Sequence, residues 1–363
     1  MREIVLDEPA SEASSLLAVR NSALLEAEGW DLAFWTCSDE DPVEEALGIL
    51  GRRRHRRDRD SSKDPADAWE HRRIKKVSLP VQRKTEDCEA LARQGDWIYV
   101  VGSHYGAKGG RLEPGRHFIA RFNEAQIQGK LKDTPLEIEI ARGTFKLHRL
   151  LNDGLRASGL QLLGRGKAEE KTLRKTLRKG EKDGKKWTER LREDDWPLNV
   201  EGAEFRDSGS LLLGLRYPVT VDGHPILAEI GGVEKLFADP PEDPRLLRFW
   251  VLGNVGTADE PRGIRALDRR GRELHVITGN LDSLPEQSAV VKDHPEGRDV
   301  PAQHHRFTLP RVQVRSSGLV QAELIGDVQG ETKVEGLFVD TDGDVCYVID
   351  DEKIRLRLAD GIA

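Results

Sequence analysis

The chain has 363 residues, 57 Lys and Arg against 64 Asp and Glu, and a formal net charge of −7 with 33% of positions charged. That mild acidity gives no general affinity for nucleic acid, and no apolar run reaches the length that spans a bilayer. Residues 1–7 enter strand-like alternation with no secretory stretch, so the expectation is one cytoplasmic domain over 1–363.

A short phrase recurs five times: an acidic or polar residue, a small residue, then a turn and an apolar β-rich run. It reads Glu12-Ala13 before residues 32–35, Glu89-Ala90 before 97–102 and Glu201-Gly202 before 211–214. It returns as Arg262-Gly263 before 274–277, and as Glu335-Gly336 before 345–349. Self-similarity at long period marks an array of one supersecondary unit, and units made of strands alone indicate an all-β chain folded as a β-propeller. Five anchors give five blades, with six as the alternative if another hides between Glu89 and Glu201.

In the first blade, residues 14–19 and 31–35 form the inner strands and 74–80 a later one. The run 51–72, which includes Arg52-Arg53-Arg54-His55-Arg56-Arg57, is too charged to bury and reads as a basic surface loop insertion. The second blade takes 89–102, 117–122 and 136–140. Residues 144–195 then shift to helical spacing and form a basic insertion. Leu147, Leu150, Leu151, Leu155 and Leu160 lie on one stripe, and 165–192 carry twelve Lys or Arg against five acids. The pairs Leu173/Leu177 and Trp187/Leu191 suggest two short helices broken at Gly180 and Gly184. Four strands follow from Glu201 to Leu252, then a fourth blade from Gly263 whose outer strands fall within 288–325. The last blade, from Leu337 to Leu358, is one strand short. Glu3–Leu6 can supply the missing strand and close the ring without an open edge.

In a propeller the innermost strands line an axial channel, so Glu12, Glu89, Glu201 and Glu335 should converge on one mouth. Like charges so gathered raise each other's pKa or recruit a cation. They can staple neighbouring blades through backbone N–H groups, ligate a hard cation, Ca²⁺ before Mg²⁺, or act in catalysis. Arg262 holds the corresponding slot of the fourth blade. The second strands exit at the same end, at Asp39, His104, Arg216, Asn280 and Asp350. There His104 could serve as general acid or base, and Arg216 as a phosphate ligand. Arg174, Lys175, Arg178 and Lys179 form a partner-binding patch. The partner is a protein or a small phosphorylated ligand, since no aromatic platform accompanies the cations to stack nucleic acid bases. Cys37, Cys88 and Cys346 read as small buried hydrophobes. His304-His305 reads as a solvent-facing pair.

Asp87-Cys88-Glu89-Ala90 with Val101-Gly102-Ser103-His104, and Asn199-Val200-Glu201-Gly202-Ala203 with Gly214-Leu215-Arg216-Tyr217-Pro218-Val219, resemble uncharacterised bacterial propellers catalogued as domain of unknown function thirty-six sixteen. The layout is similar to that of the esterase-like phytases. The resemblance implies a propeller over nearly the whole chain. Two functions stay open: a binding or scaffold propeller whose acidic mouth holds a cation, and a metal-assisted phosphoesterase, a hydrolase. The chain departs from the pattern at Glu204, where an apolar residue is expected, and in its basic insertions.

Overall fold

The structure, a computed structural model, describes residues 2–6, 13–39, 41–54, 68–75, 77–78, 85–106, 111–282, 287–311, 316–328, 330–349 and 353–359. It is built mostly of strands. The first strand, β1 (Arg2–Val5), precedes a sheet of β2 (Leu17–Ala18), β3 (Trp30–Cys37), β4 (Leu47–Arg53) and β5 (Trp69–Arg73). Next come β6 (Val77–Ser78) and the second sheet, β7 (Cys88–Gln94), β8 (Trp97–Gly102), β9 (Ile119–Asn123) and β11 (Glu139–Ala141). Just before β11, β10 (Leu136–Glu137) pairs in parallel with β6. The third sheet holds β12 (Asn199–Phe205), β13 (Leu211–Tyr217), β14 (Ile226–Gly231) and β15 (Arg245–Gly253). The fourth holds β16 (Gly263–Arg270), β17 (Glu273–Gly279), β18 (Gln303–Phe307) and β20 (Glu323–Asp327). Between the last two, β19 (Ser317–Gln321) leaves the fourth sheet and adds in parallel to β15.

The fifth sheet is β21 (Val334–Val339), β22 (Val345–Ile349) and β23 (Arg355–Ala359), and β1 joins it antiparallel to β23, with Glu3 opposite Arg357. The expected pairing of the two ends is therefore present. In the first sheet the fourth strand is β5, not 74–80, whose Val77–Ser78 forms the small parallel pair instead. The two ends of the charged 51–72 run fall in β4 and β5, while 55–67 lie outside the described residues.

Alternation explains how the sheets stack. Successive side chains of a strand point to opposite faces. In β8, Ile98 and Val100 enter a core shared with the first sheet, whereas Tyr99 and Val101 enter one shared with the third. In β13, Leu213 faces the second sheet and Leu212 the fourth. In β22, Tyr347 packs toward the fourth sheet, while Cys346 and Val348 join Ile4, Leu16, Phe34 and Leu50 in a core between the fifth sheet and the first. Covered on both faces, the second strands can be apolar throughout. β13 reads Leu-Leu-Leu-Gly-Leu-Arg-Tyr and is buried at every position, while outer strands such as β20 and β23 are largely half-exposed or exposed.

The helical insertion carries α1 (Lys146–Ser158) and α2 (Lys167–Lys182). α1 buries Leu147, Leu151 and Leu155, four apart, against β15. Contrary to the expected break, α2 runs through Gly180. A side chain there would meet the Trp187 ring and Thr188 at about 2.5 Å, so glycine lets the following 3-10 turn (Lys186–Arg190) lie directly on the helix. Leu173 and Leu191 pack with Leu112 and Phe145 in a small core of their own, with Leu177 and Trp187 against it. A short helix α3 (Ala289–Asp293) packs on α2, and its Asp293 carboxylate accepts from the N–H groups of Ala168 and Glu169 at the start of α2.

Candidate functional site: a buried carboxylate cluster

Each innermost strand carries an extra residue at the same place. The ladder shifts between Cys88 and Ala90, Val200 and Gly202, Ile264 and Ala266, and Val334 and Gly336, so Glu89, Glu201, Arg265 and Glu335 are the bulged residues. In the first sheet Ser14 bonds Cys37 and Leu17 faces Trp35, so Ser15 and Leu16 together oppose Thr36. Arg262 was expected in the fourth slot. Register corrects this: Gly263 is the first paired residue, and Arg265-Ala266 occupies the place of Glu89-Ala90. Arg262 instead bonds Glu260 and the carbonyl of Pro301.

The bulged side chains meet in two electrostatically different groups. Arg265, 1% exposed, lies 3.0 Å from Glu201 Oε2 and donates to Glu335. Glu201 is also held by Arg216 Nη1 at 2.6 Å and by Asn199 Nδ2 at 3.1 Å. Arg216 spends its other donors on Asn280, Nε on the carbonyl oxygen at 3.0 Å and Nη2 on Oδ1 at 2.5 Å.

On the other side stand Asp39, Asp87 and Glu89, each offering a carboxylate oxygen within 4.8 Å of the others. Asp87 pairs with Arg116 at 2.8 Å and accepts from the Ser103 hydroxyl. Burial nevertheless pushes its carboxyl up to about 7. Glu89, 8% exposed, has no hydrogen-bond donor on its carboxylate among the described residues. Burial first, and then Asp87, Glu201, Asp39 and Glu335, raise its carboxyl well above the ordinary range. Asp87 holds a left-handed φ of 68°, uncommon for a residue other than glycine, at the entry to β7.

The expected residues therefore divide. Glu89, Glu201, Glu335 and Arg216 come together, and Glu12 lies outside the described residues. His104 turns instead to His117, with the two Nδ1 atoms 3.1 Å apart, and the His117 ring lies against Phe145. Arg174, Lys175, Arg178 and Lys179 are all exposed on one face of α2; Lys179 meets Asp183 at 2.9 Å and Arg174 lies 3.6 Å from Glu193. His304 and His305 are not solvent-facing: each is 1% exposed in β18, His304 bridging His275 and the fifth sheet's Tyr347 and His305 beside Thr278 on the opposite face, because the third strand is covered on both sides. All three cysteines are buried and free. Sequence reasoning placed Asp39 at the same end as Glu89 and missed Asp87, which sits at the entry to β7 two residues before it. It also missed Arg265, which the Arg265-Ala266 dipeptide signals.

No family model matches the chain, and no curated protein matches it in sequence. Similar solved structures include a GH43 β-1,3-galactosidase with galactodeoxynojirimycin, at 10% identity and TM-score 0.44 over 98% of this chain and 94% of that one. A Bacteroides ovatus xyloglucan GH43B protein matches at 11% identity and TM-score 0.43, over 99% of this chain and 54% of that one. The WD40 β-propeller domain of Doa1 matches at 9% identity and TM-score 0.33, over 98% and 97%. These neighbours are β-propeller folds, and likeness at this level says nothing of the site's chemistry. Among the described residues no helix is long and apolar enough to cross a membrane.

Proposed function

We propose that the chain is a five-bladed propeller closed by β1, of the kind its sequence resembles, and that it is a binding protein whose axial mouth holds Ca²⁺ between Asp39, Asp87 and Glu89. Support for the ring comes from five cores, each between consecutive sheets, the last between the fifth and the first. Support for the ion comes from Glu89, a buried carboxylate surrounded by other carboxylates with no donor of its own. Such a group needs a proton or a cation, and oxygens within 4.8 Å of one another suit an ion that binds at about 2.3–2.6 Å. Water and a ligand's oxygen atoms would complete the shell. The arginines of α2 supply a second contact face, for an acidic protein partner.

Binding is favoured over phosphoester hydrolysis because Arg216 is consumed by Glu201 and Asn280, and His104 by His117. The test is a calcium titration at pH 7.5, followed by calorimetry and by thermal unfolding, on wild type and Glu89→Gln. A saturable rise in Tm for wild type, absent in Glu89→Gln, is expected. At one hundred times Kd the ion adds about 2.7 kcal/mol of stability. Equal calcium responses in the two proteins would dismiss the site. A phosphomonoester screen with the same two proteins should show no calcium-dependent turnover.

A further inference from the structure

At the end of the third and fourth sheets away from the carboxylate cluster lies a groove of about 810 Å³ whose lining includes Arg206, Arg248, Arg269, Arg272 and Arg311. The strands explain the gathering. β12 carries Glu201 near its start and runs to Phe205, so the turn that follows, with Arg206, stands at the far end from Glu201. The matching turn of the fourth sheet, between β16 and β17, brings Arg269 and Arg272, and β18 leads into Arg311 beside them. Arg248 comes from β15.

Two acids share the groove, and both are engaged. Glu229, 2% exposed, accepts from Arg206 Nη1 at 3.0 Å, from Trp250 Nε1 at 2.8 Å and from the Ser210 hydroxyl at 2.7 Å, and Arg248 Nε lies 3.3 Å from it. Arg206 Nη2 reaches on to the carbonyl of Pro310 at 3.0 Å, which ties its head to the segment after β18. Asp207 pairs with Arg269. That hydrogen bond first, and then the charges of Arg269, Arg272 and Arg311, hold the Asp207 carboxyl below its ordinary range, so the three cations act on one place. Glu204, 3.5 Å from Arg269, is pushed up to about 8 by burial and adds little negative charge at pH 7. Arg272 and Arg311 are exposed and make no ion pair among the described residues. Five guanidinium groups thus face two carboxylates, a surplus of three positive charges in a chain whose net charge is −7. A cleft lined by one sign of charge concentrates ions of the other.

We infer that this groove binds a small soluble molecule carrying two phosphoryl groups. The planar fork of arginine matches phosphate oxygens two at a time. A phosphoryl ester carries about 1.5–2 negative charges near pH 7, so two of them answer the surplus, where carboxylates would have to number three. The volume falls within the ordinary range of small-molecule pockets, and Leu247 and Leu274 give the body of the ligand an apolar wall. The groove shares no lining residue with Asp39, Asp87 or Glu89, so it stands independently of the calcium site.

Fructose 1,6-bisphosphate is the probe, titrated into the full chain by calorimetry in calcium-free buffer at pH 7.5 and about 0.15 M KCl, where exposed charges are screened beyond about 8 Å. Fructose 6-phosphate and citrate are the comparisons. The bisphosphate should bind saturably, and the other two at least about tenfold more weakly. Replacing Arg272 and Arg311 together by Ala should weaken the bisphosphate at least about tenfold with Tm unchanged, whereas Lys132→Ala, an exposed cation elsewhere on the surface, should leave it as it was. If the double variant does not fold, the bisphosphate/monophosphate ratio decides the matter. No saturable binding, equal binding of either comparison compound, undiminished binding by the folded double variant, or an equal loss in Lys132→Ala would each overturn the proposal. So would capture by phosphatidylcholine vesicles containing phosphatidylinositol 4,5-bisphosphate without binding of the free ester, which would assign the groove to a membrane surface.

Discussion

Glu89 and Glu201 sit in the same bulge of adjacent inner strands, yet their surroundings are opposite. Glu201 is clamped between Arg216 and Arg265, and Arg265 also reaches Glu335. Glu89 faces Asp87 and Asp39 with no cation on its own carboxylate. Repetition thus places the backbone and leaves the chemistry free to differ from sheet to sheet. One half of the cluster satisfies itself and holds sheets together. In the other half Glu89 alone is left without a donor on its carboxylate among the described residues, and that is where a function is best sought.

Breaking the compensated half should have the largest effect. Arg265→Met leaves Glu201 and Glu335 buried with too few cations, and loss of one partner of a buried pair costs about 3–5 kcal/mol, read by urea unfolding. Adding Glu201→Gln should recover part of that loss, because the orphaned charge is then removed.

The uncompensated half should reveal itself through pH. With Asp87 raised to about 7 and Glu89 higher than usual, the folded state binds more protons than the unfolded one between about pH 4 and pH 7. Stability from these groups is therefore complete below about pH 4 and lost as pH rises through 7. For Asp87 the loss is at most about 4 kcal/mol. Denaturant midpoints measured without calcium from pH 5 to 8.5 should fall, and Glu89→Gln should flatten the decline. A decline of the same steepness in that variant would show the two halves to be alike.

Smaller changes sharpen the contrast away from the axis. Gly180→Ala should cost about 2 kcal/mol through displacement of Trp187 and Thr188, which outweighs the about 1 kcal/mol that alanine gains as the better helix former and leaves a net loss of about 1 kcal/mol. Net stabilisation in thermal unfolding would mean that the turn yields easily. Removing Arg174, Lys175, Arg178 and Lys179 singly to Ala should shift stability by no more than about 0.5 kcal/mol each. The same substitutions should weaken any acidic partner in a salt-dependent way.

Much of the fold was legible because alternation and turn chemistry are local. Residues 97–102, 211–217 and 345–349 announce buried strands, and the Glu-small dipeptides mark the start of three inner strands. The fourth slot was misread because Arg262-Gly263 imitates Glu201-Gly202, and only ladder pairing shows that the bulge comes three residues later. The break at Gly180 was misread because a glycine's weak helix propensity is visible in sequence, whereas the ring that packs against it is not. At the site, the gathering of Glu89, Glu201 and Glu335 followed from repetition. The division between clamped and unclamped carboxylates did not, since it depends on Arg265 and on which way His104 turns. A side chain's direction at a strand end, here at a left-handed φ of 60°, has no sequence period to betray it.

The excursion of β19 has a mechanical consequence. Because this segment leaves β18, lies along β15 and returns as β20, it straps the outer edges of two sheets into one cooperative unit. Amide hydrogens of β15 that face the strap should exchange with solvent in step with those of β20. Pulling on one edge should then unravel both sheets in a single event, while their neighbours open separately.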